Sequence, residues 1–148
     1  MSNMRQEIVK KVLARMRLIR TENDYVTEIG ASVHEHRTEA LQEHELPALI
    51  VRDGTDEITY REKQSGAHHH SLPFTIDVVC QETDVNAEVA RKALADVMKA
   101  IGVDPRWGGV AKQSLPKSAS VITDKEGNWL GGARVEFTVE YQTAAWAI

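Results

Sequence analysis

The chain has a single cysteine, Cys80, so it can hold no internal disulfide and none of the multi-cysteine zinc or iron–sulfur frameworks. It is poor in aromatics, with three Trp, three Tyr and two Phe in 148 residues, which makes a lean core for a chain long enough to fold without staples. No apolar run approaches the roughly 18 residues of a membrane span. Residues 1–20 interleave Arg5, Lys10, Lys11, Arg15, Arg17 and Arg20 with apolar neighbours, which leaves no signal-peptide core. Together these absences predict a protein made and kept in a reducing cell interior. Excess charge of one sign is missing too: 18 basic against 22 acidic residues give a net charge of -4, and no overall field would hold nucleic acid. What remains, 42% hydrophobic and 27% charged, reads as one globular domain over residues 1–148.

The small net charge conceals a polarised chain. Residues 1–20 carry six basic residues and one acidic, +5; residues 21–62 carry three basic and eleven acidic, -8; the remainder carries nine and ten, -1. The basic residues of the first segment flank an apolar stripe, Ile8, Val9, Val12, Leu13, Met16 and Ile19, whose spacing predicts an amphipathic helix over 4–20. Its basic face reads either as a solvated surface or as a contact for the acidic 21–62 region of a second copy.

Beyond this helix, Tyr25–Arg37 reads as extended structure broken at Gly30, a bulged strand or a short hairpin. Thr38 is expected to cap a helical turn ending at Glu45. The apolar run Leu46–Val51, closed by Asp53-Gly54, predicts a buried strand, and residues 57–63 a partner strand with one wet face, Ile58 and Tyr60 on its dry side. Residues 64–70, with His68-His69-His70, have loop composition. Strict alternation of Phe74, Ile76, Val78 and Cys80 then predicts a strand over 72–81. A second helix follows, capped by Asp84 or Asn86, with Val89, Ala90, Ala93, Leu94, Val97, Met98 and Ile101 on one face, Lys99 in its last turn and Gly102 as the stop. Strands over 118–124 and 133–143 close the chain, joined by a hairpin containing Gly127, Gly131 and Gly132. Strands grouped in runs predict an α+β fold: a mainly antiparallel sheet with two principal helices packed on one face.

The residues that could carry chemistry form few patterns. His34 and His36 project to one side of the expected extended segment, and His44 with Glu35 and Glu45 lies near in sequence, so a metal-dependent enzyme centred on His34 and His36 is one reading. No HExxH, GxSxG, GxGxxG or Walker-type motif supports it. No glutamate is followed two positions later by lysine, the pair that restriction-type nucleases use to hold metal and assist water. Cys80, on an apolar face, reads as a small core residue. Trp107, Trp129 and Trp146 fall in or beside loops and read either as buried loop anchors or as interface anchors. The candidate subunit or partner interface is therefore Lys10, Lys11, Arg15 and Arg17 with Trp107, Trp129 and Trp146. No catalytic, metal-binding or cofactor-binding residue is assigned.

The layout as a whole resembles the tail terminator proteins of long-tailed bacteriophages, also called tail completion or minor tail proteins. The resemblance is carried by the opening helix, YVTEIGASVHEHR with Gly30 and Val33, ELPALIVRDGTDEI at 45–58, FTIDVVCQETD at 74–84 and VEFTVEYQTAAW at 135–146. It spans nearly the whole chain in order and spacing, and it implies a phage- or prophage-encoded structural protein with no enzymatic activity and no cofactor. Such proteins form a ring, typically a hexamer, on the finished tail tube, stop tube polymerisation and offer a surface to the head connector. The implied partners are copies of itself, the tail tube protein and the head-connector protein, with DNA only as passing cargo and no membrane. The implied location is the host cytoplasm during assembly and then the virion tail. A head–tail joining or neck adaptor protein is the alternative within the structural class. If DNA passes through such a ring, a lumen lined by acidic side chains from 21–62 is expected to repel it.

Overall fold

The longest strands form where apolar and polar residues alternate without interruption. In the computed structural model, which describes residues 3–60, 66–80, 87–122 and 132–148, Leu72, Phe74, Ile76 and Val78 are buried along one side of β4 (Ala67–Val79). Ala133, Val135, Phe137, Val139 and Tyr141 do the same along β6 (Gly132–Ala144). The two strands pair antiparallel from Ala67 opposite Ala144 to Val79 opposite Gly132. Midway, Phe74 and Phe137 stack with ring centroids 5.2 Å apart.

β2 (Ala48–Asp53) pairs with the C-terminal half of β4 and β3 (Glu57–Thr59) with its N-terminal half, so the two lie end to end along one edge. β5 (Gln113–Ile122) lies on the other side of β6, and β1 (Val33–Glu35) runs parallel to β2. The order is β1-β2-β4-β6-β5, with β3 beside β4, and every pairing except β1 with β2 is antiparallel. α1 (Met4–Met16) contributes Ile8, Val9, Val12, Leu13 and Met16, and α2 (Ala87–Val103) contributes Ala90, Ala93, Val97, Ala100 and Ile101, to the core on the sheet's apolar face. Each large apolar side chain sealed there stabilises by about 1.5–3 kcal/mol. The fold is α+β, as expected, and Cys80 lies in this core.

The departures from expectation have local causes. α1 ends at Met16 rather than at residue 20: the N–H groups of Arg17, Leu18 and Ile19 close its last carbonyls in a tighter turn, and the chain beyond it packs against Gly30. Gly30 donates its N–H to Ile19 O at 2.9 Å, and a Cβ at position 30 would stand 2.7 to 2.8 Å from the carbonyl oxygens of Met16, Arg17 and Ile19. The same docking bends residues 29–31 into a single 3₁₀ turn, so the 25–37 stretch forms neither hairpin nor long strand; only Val33–Glu35 is extended. Asp96 of α2 fixes the approach to this turn: its buried carboxylate accepts the N–H groups of Val26 and Thr27 at 3.1 and 2.7 Å and the Thr27 hydroxyl at 2.6 Å.

Thr38 caps nothing. The turn is Glu43–Glu45, capped reciprocally by Gln42 and Glu45. β3 does not form a hairpin with β2, since Gly54 N–H bonds Pro73 O at 2.8 Å and carries the chain onward along β4; Glu57, Ile58 and Thr59 are all exposed. His68–His70 belong to β4 rather than to a loop, because β6 pairs with them. α2 runs through Gly102 to Val103, and β5 starts at Gln113, earlier than expected, with a bulge between Pro116 and Ser118. Asp84, Asn86, Gly127, Gly131 and Trp129 lie outside the described residues. No helix among the described residues is long and apolar enough to cross a membrane.

The Gly30 contact is backbone on backbone, so it has no side chain that can yield. Gly30→Ala is expected to lower the unfolding free energy by about 1–3 kcal/mol. Urea denaturation checks this, and an unchanged midpoint would show that the α1 terminus does not depend on it.

Candidate interaction surface

The six basic residues of the opening segment separate on folding. Arg5 turns inward: its Nε donates to Asp53 Oδ2 at 2.8 Å, one terminal nitrogen to Gly54 O at 2.8 Å, and the other Asp53 oxygen lies 2.6 Å from His36 Nε2. Arg15 also turns inward. Its guanidinium lies 4.2 Å above the Trp107 ring and donates to Asp104 O at 2.6 Å. Burial pulls its pKa below the ordinary arginine value, against the opposing charge of Asp104. Lys10, Lys11 and Arg17 stay exposed.

Of the two readings of Trp107, buried loop anchor and interface anchor, this arrangement favours the first. Its side chain is buried, its Nε1 donates to Ser114 Oγ at 2.8 Å, and Ser114 donates on to Pro105 O at 2.7 Å. It occupies the left-handed region at φ 53°, a strained conformation for a large residue, and full burial of the indole offsets the strain. Asp104 closes the same loop by accepting the N–H groups of Gly108 and Arg106, which hold its carboxyl below the usual carboxylate range. Trp107 is thus a loop anchor, and Arg15, packed on it, is committed to the same job rather than to a partner.

Trp146 is the opposite case. It sits in a β-turn closed by Ala147 N–H on Ala144 O, at φ 63°, with its side chain 94% exposed. Around it stand His68, with ring centroids 5.6 Å apart, then Tyr60 at 5.9 Å from His68. Tyr60, Ile58 and Ile148 are themselves exposed.

The acidic region keeps its sign at the surface. Glu22, Asp24, Glu28, Glu35, Glu39 and Glu43 are exposed, while Glu45 pairs with Arg37 at 3.1 Å and Asp53 with Arg5. Two backbone and hydroxyl donors from Thr21 hold the Glu28 carboxyl below its ordinary range.

The structure does not gather the histidines flagged from sequence. His34 Nε2 lies 2.9 Å from Ser32 Oγ and its Nδ1 faces the Arg37 guanidinium, His36 adopts φ 46° and pairs with Asp53, and His44 is exposed. Among the described residues no group of three or more His, Cys, Asp or Glu is placed to hold a metal ion.

Sequence reasoning missed a buried cluster at the N-terminal end of β4. His70 Nδ1 lies 2.7 Å from Asp56 Oδ2, Tyr141 donates to the same oxygen at 3.0 Å, and the His70 and Tyr141 rings stack at 4.4 Å. His70 Nε2 lies 2.8 Å from Thr143 Oγ1, which in turn reaches the Ala144 and Ala147 carbonyls at 2.9 and 3.2 Å. Burial, then the Asp56 charge, pushes the Tyr141 phenol well above its ordinary pKa. Carboxylate, imidazole and hydroxyl stand in the order used for nucleophile activation. Here the imidazole and carboxylate are closed to solvent, 0% and 4% exposed, so the cluster braces the turn at 54–56 and the 144–147 turn against the sheet. The signal was legible: His70 is in phase with Leu72 and Phe74, and Tyr141 with Val139. On the other sheet face, Asp77 is buried beneath Arg52 and Arg134, at 2.7 and 2.6 Å.

No protein-family model matches the sequence, and no curated protein matches it.

Two outcomes follow from these contacts. Trp107→Ala is expected to cost about 3–5 kcal/mol of stability, read by chemical denaturation, and to leave self-association of the folded fraction unchanged; a small loss would return Trp107 to the interface candidates. Burial pushes the Asp53 carboxyl up, but hydrogen bonds from His36 and Arg5, with the Arg5 charge, outweigh it and leave the pKa lowered. The folded state then binds this proton less tightly than the unfolded chain, so its contribution is present above about pH 4 and is lost as pH falls below that. Asp53→Asn is expected to flatten the decline of stability below about pH 4; an unaltered slope would contradict the assignment.

Proposed function

We propose that this chain is a structural protein of a long-tailed bacteriophage that assembles with copies of itself into a ring on the end of the tail tube. The ring stops tube polymerisation and provides the surface for head attachment. The carrying observation is that charge polarity survives folding: Lys10 and Lys11 on α1 and Arg17 at its C-cap stand exposed, and Glu22, Asp24, Glu28, Glu35, Glu39 and Glu43 stand exposed in the following segment. Opposite patches at different places on one chain make heterologous contacts, and these close into a ring when the rotation permits. The order and spacing of the segments that resemble tail terminators support the same reading. Acidic side chains left facing the lumen would repel passing DNA.

Mass measurement over a range of protein and salt concentrations, with electron microscopy of the assembled fraction, tests this. Rings that dissociate as salt rises are expected, because exposed charges are screened over about 8–10 Å at physiological ionic strength. Replacing Lys10, Lys11 and Arg17 together by Glu is expected to abolish them. Assembly by the triple variant equal to that of the wild-type chain would overturn the charge contact, and a single-chain mass in the presence of tail tubes would overturn the function.

A further inference from the structure

Two tryptophans of this chain occupy the left-handed backbone region, Trp107 at φ 53° and Trp146 at φ 63°. That conformation is uncommon for any residue other than Gly and a true outlier for a bulky one. At Trp107 the strain is offset within the chain by complete burial, a hydrogen bond to Ser114 and the Arg15 guanidinium overhead. Trp146 has no such compensation among the described residues, since its side chain is 94% exposed and meets only the edge of His68. Its position is the third of a β-turn, where positive φ ordinarily calls for Gly or Asn.

The turn is nevertheless held firmly. Trp146 N–H donates to His68 Nδ1 at 3.2 Å, Ala147 N–H to Ala144 O at 3.1 Å, and Met4 N–H to Ile148 O at 2.8 Å. Thr143, positioned by His70, lies against the Ala147 carbonyl. A backbone fixed from both sides in a costly conformation, with the largest side chain in the protein standing in water, is built to present that side chain. Indoles held this way are the usual anchors of protein contacts.

A groove that suits an indole lies on the same chain. Beside the turn, and not filled by Trp146, runs a mainly apolar groove lined by Met4, Ala67, Ala144, Ala147 and Ile148, with the uncharged polar residues Asn3, Gln142 and Thr143 also in its wall. None of these side chains carries a formal charge, which disfavours phosphate or lipid headgroups and suits an indole. We propose that the Trp146 indole of one copy seats in this groove on a second copy. The proposal rests on the self-assembly proposed above and supplies its apolar anchor, with the charged faces of α1 and residues 21–62 setting orientation and rate around it.

Three proteins suffice for the test: the wild-type chain, Trp146→Gly and Ala144→Phe, with thermal unfolding confirming that each is folded. Trp146→Gly removes the knob while giving the turn the residue its backbone favours. Ala144→Phe fills the groove. Sedimentation equilibrium is expected to show wild-type self-association weakened roughly 30-fold in either variant, the loss typical of a hot-spot tryptophan. An equimolar mixture of the two is expected to form one-to-one pairs, because one supplies the groove and the other the knob. Wild-type association that both variants retain would overturn the Trp146 contact and leave the ring reading standing. Wild-type dimers without rings, lost in both variants, would support the contact and overturn the ring. A wild-type chain that stays single at every concentration would overturn the Trp146 contact, and one that stays single with tail tubes present as well would overturn both.

Discussion

The long antiparallel ladder between β4 and β6 is the constraint on which the rest of the molecule depends. Because side chains alternate across a strand, thirteen paired positions give the sheet one continuous apolar face and one polar face. Both helices must then lie on the apolar face, and the polar face carries its own neutralised charge, Asp77 between Arg52 and Arg134. At one end of the ladder the inner face carries His70 and Tyr141, and their polar atoms must be matched. Asp56 and Thr143 match them. The surface turn that presents Trp146 is thereby tied to a buried cluster in the interior.

The lean aromatic content shapes how the remaining segments are held. Several loops are pinned by single carboxylates at different depths, Asp96 buried, Asp53 part-buried and Asp104 more open. Asp96 holds the 26–27 backbone, Asp53 gathers Arg5 and His36, and Asp104 closes the loop that Trp107 anchors. Each carboxylate draws on backbone or cationic donors, so the desolvation of Asp96 and Asp53 is met by hydrogen bonds of the stronger, charge-assisted kind. The consequence for function is that several ionisable residues that look available in sequence, Arg15 among them, are occupied inside the monomer. Among the described residues, the candidates left for partners are Lys10, Lys11, Arg17, the exposed carboxylates of 22–57, and the Trp146 turn with its groove.

Legibility followed periodicity. The α+β class, the core faces of both helices and the strands predicted over 72–81 and 133–143 could be read because their apolar residues repeat with period 2 or 3.6, and the strand predicted over 46–51 because its apolar run closes on a turn signal. What could not be read depends on contacts distant in sequence. Gly30 packs against the carbonyls at and just beyond the end of α1, more than ten residues away, and β3 abandons its neighbour for β4 because Gly54 bonds Pro73. The histidine run looked like a loop because polar composition outweighed its phase, although His70 continues the alternation of Leu72 and Phe74. For the candidate interface, position beside a loop identified all three tryptophans but did not separate Trp107 from Trp146. Burial does: one indole is sealed and the other stands in water.

The central claim is that this chain completes itself by contact with its own copies, and that the Trp146 turn lies in that contact. Hydrogen exchange of the unmodified chain, compared between dilute and concentrated solution, tests this without any substitution. The account predicts that amides of residues 144–148 and of Ala67 exchange more slowly as concentration rises, while the β4–β6 interior, already protected, does not change. Exchange at 144–148 that is identical at every concentration at which the chain associates would contradict it.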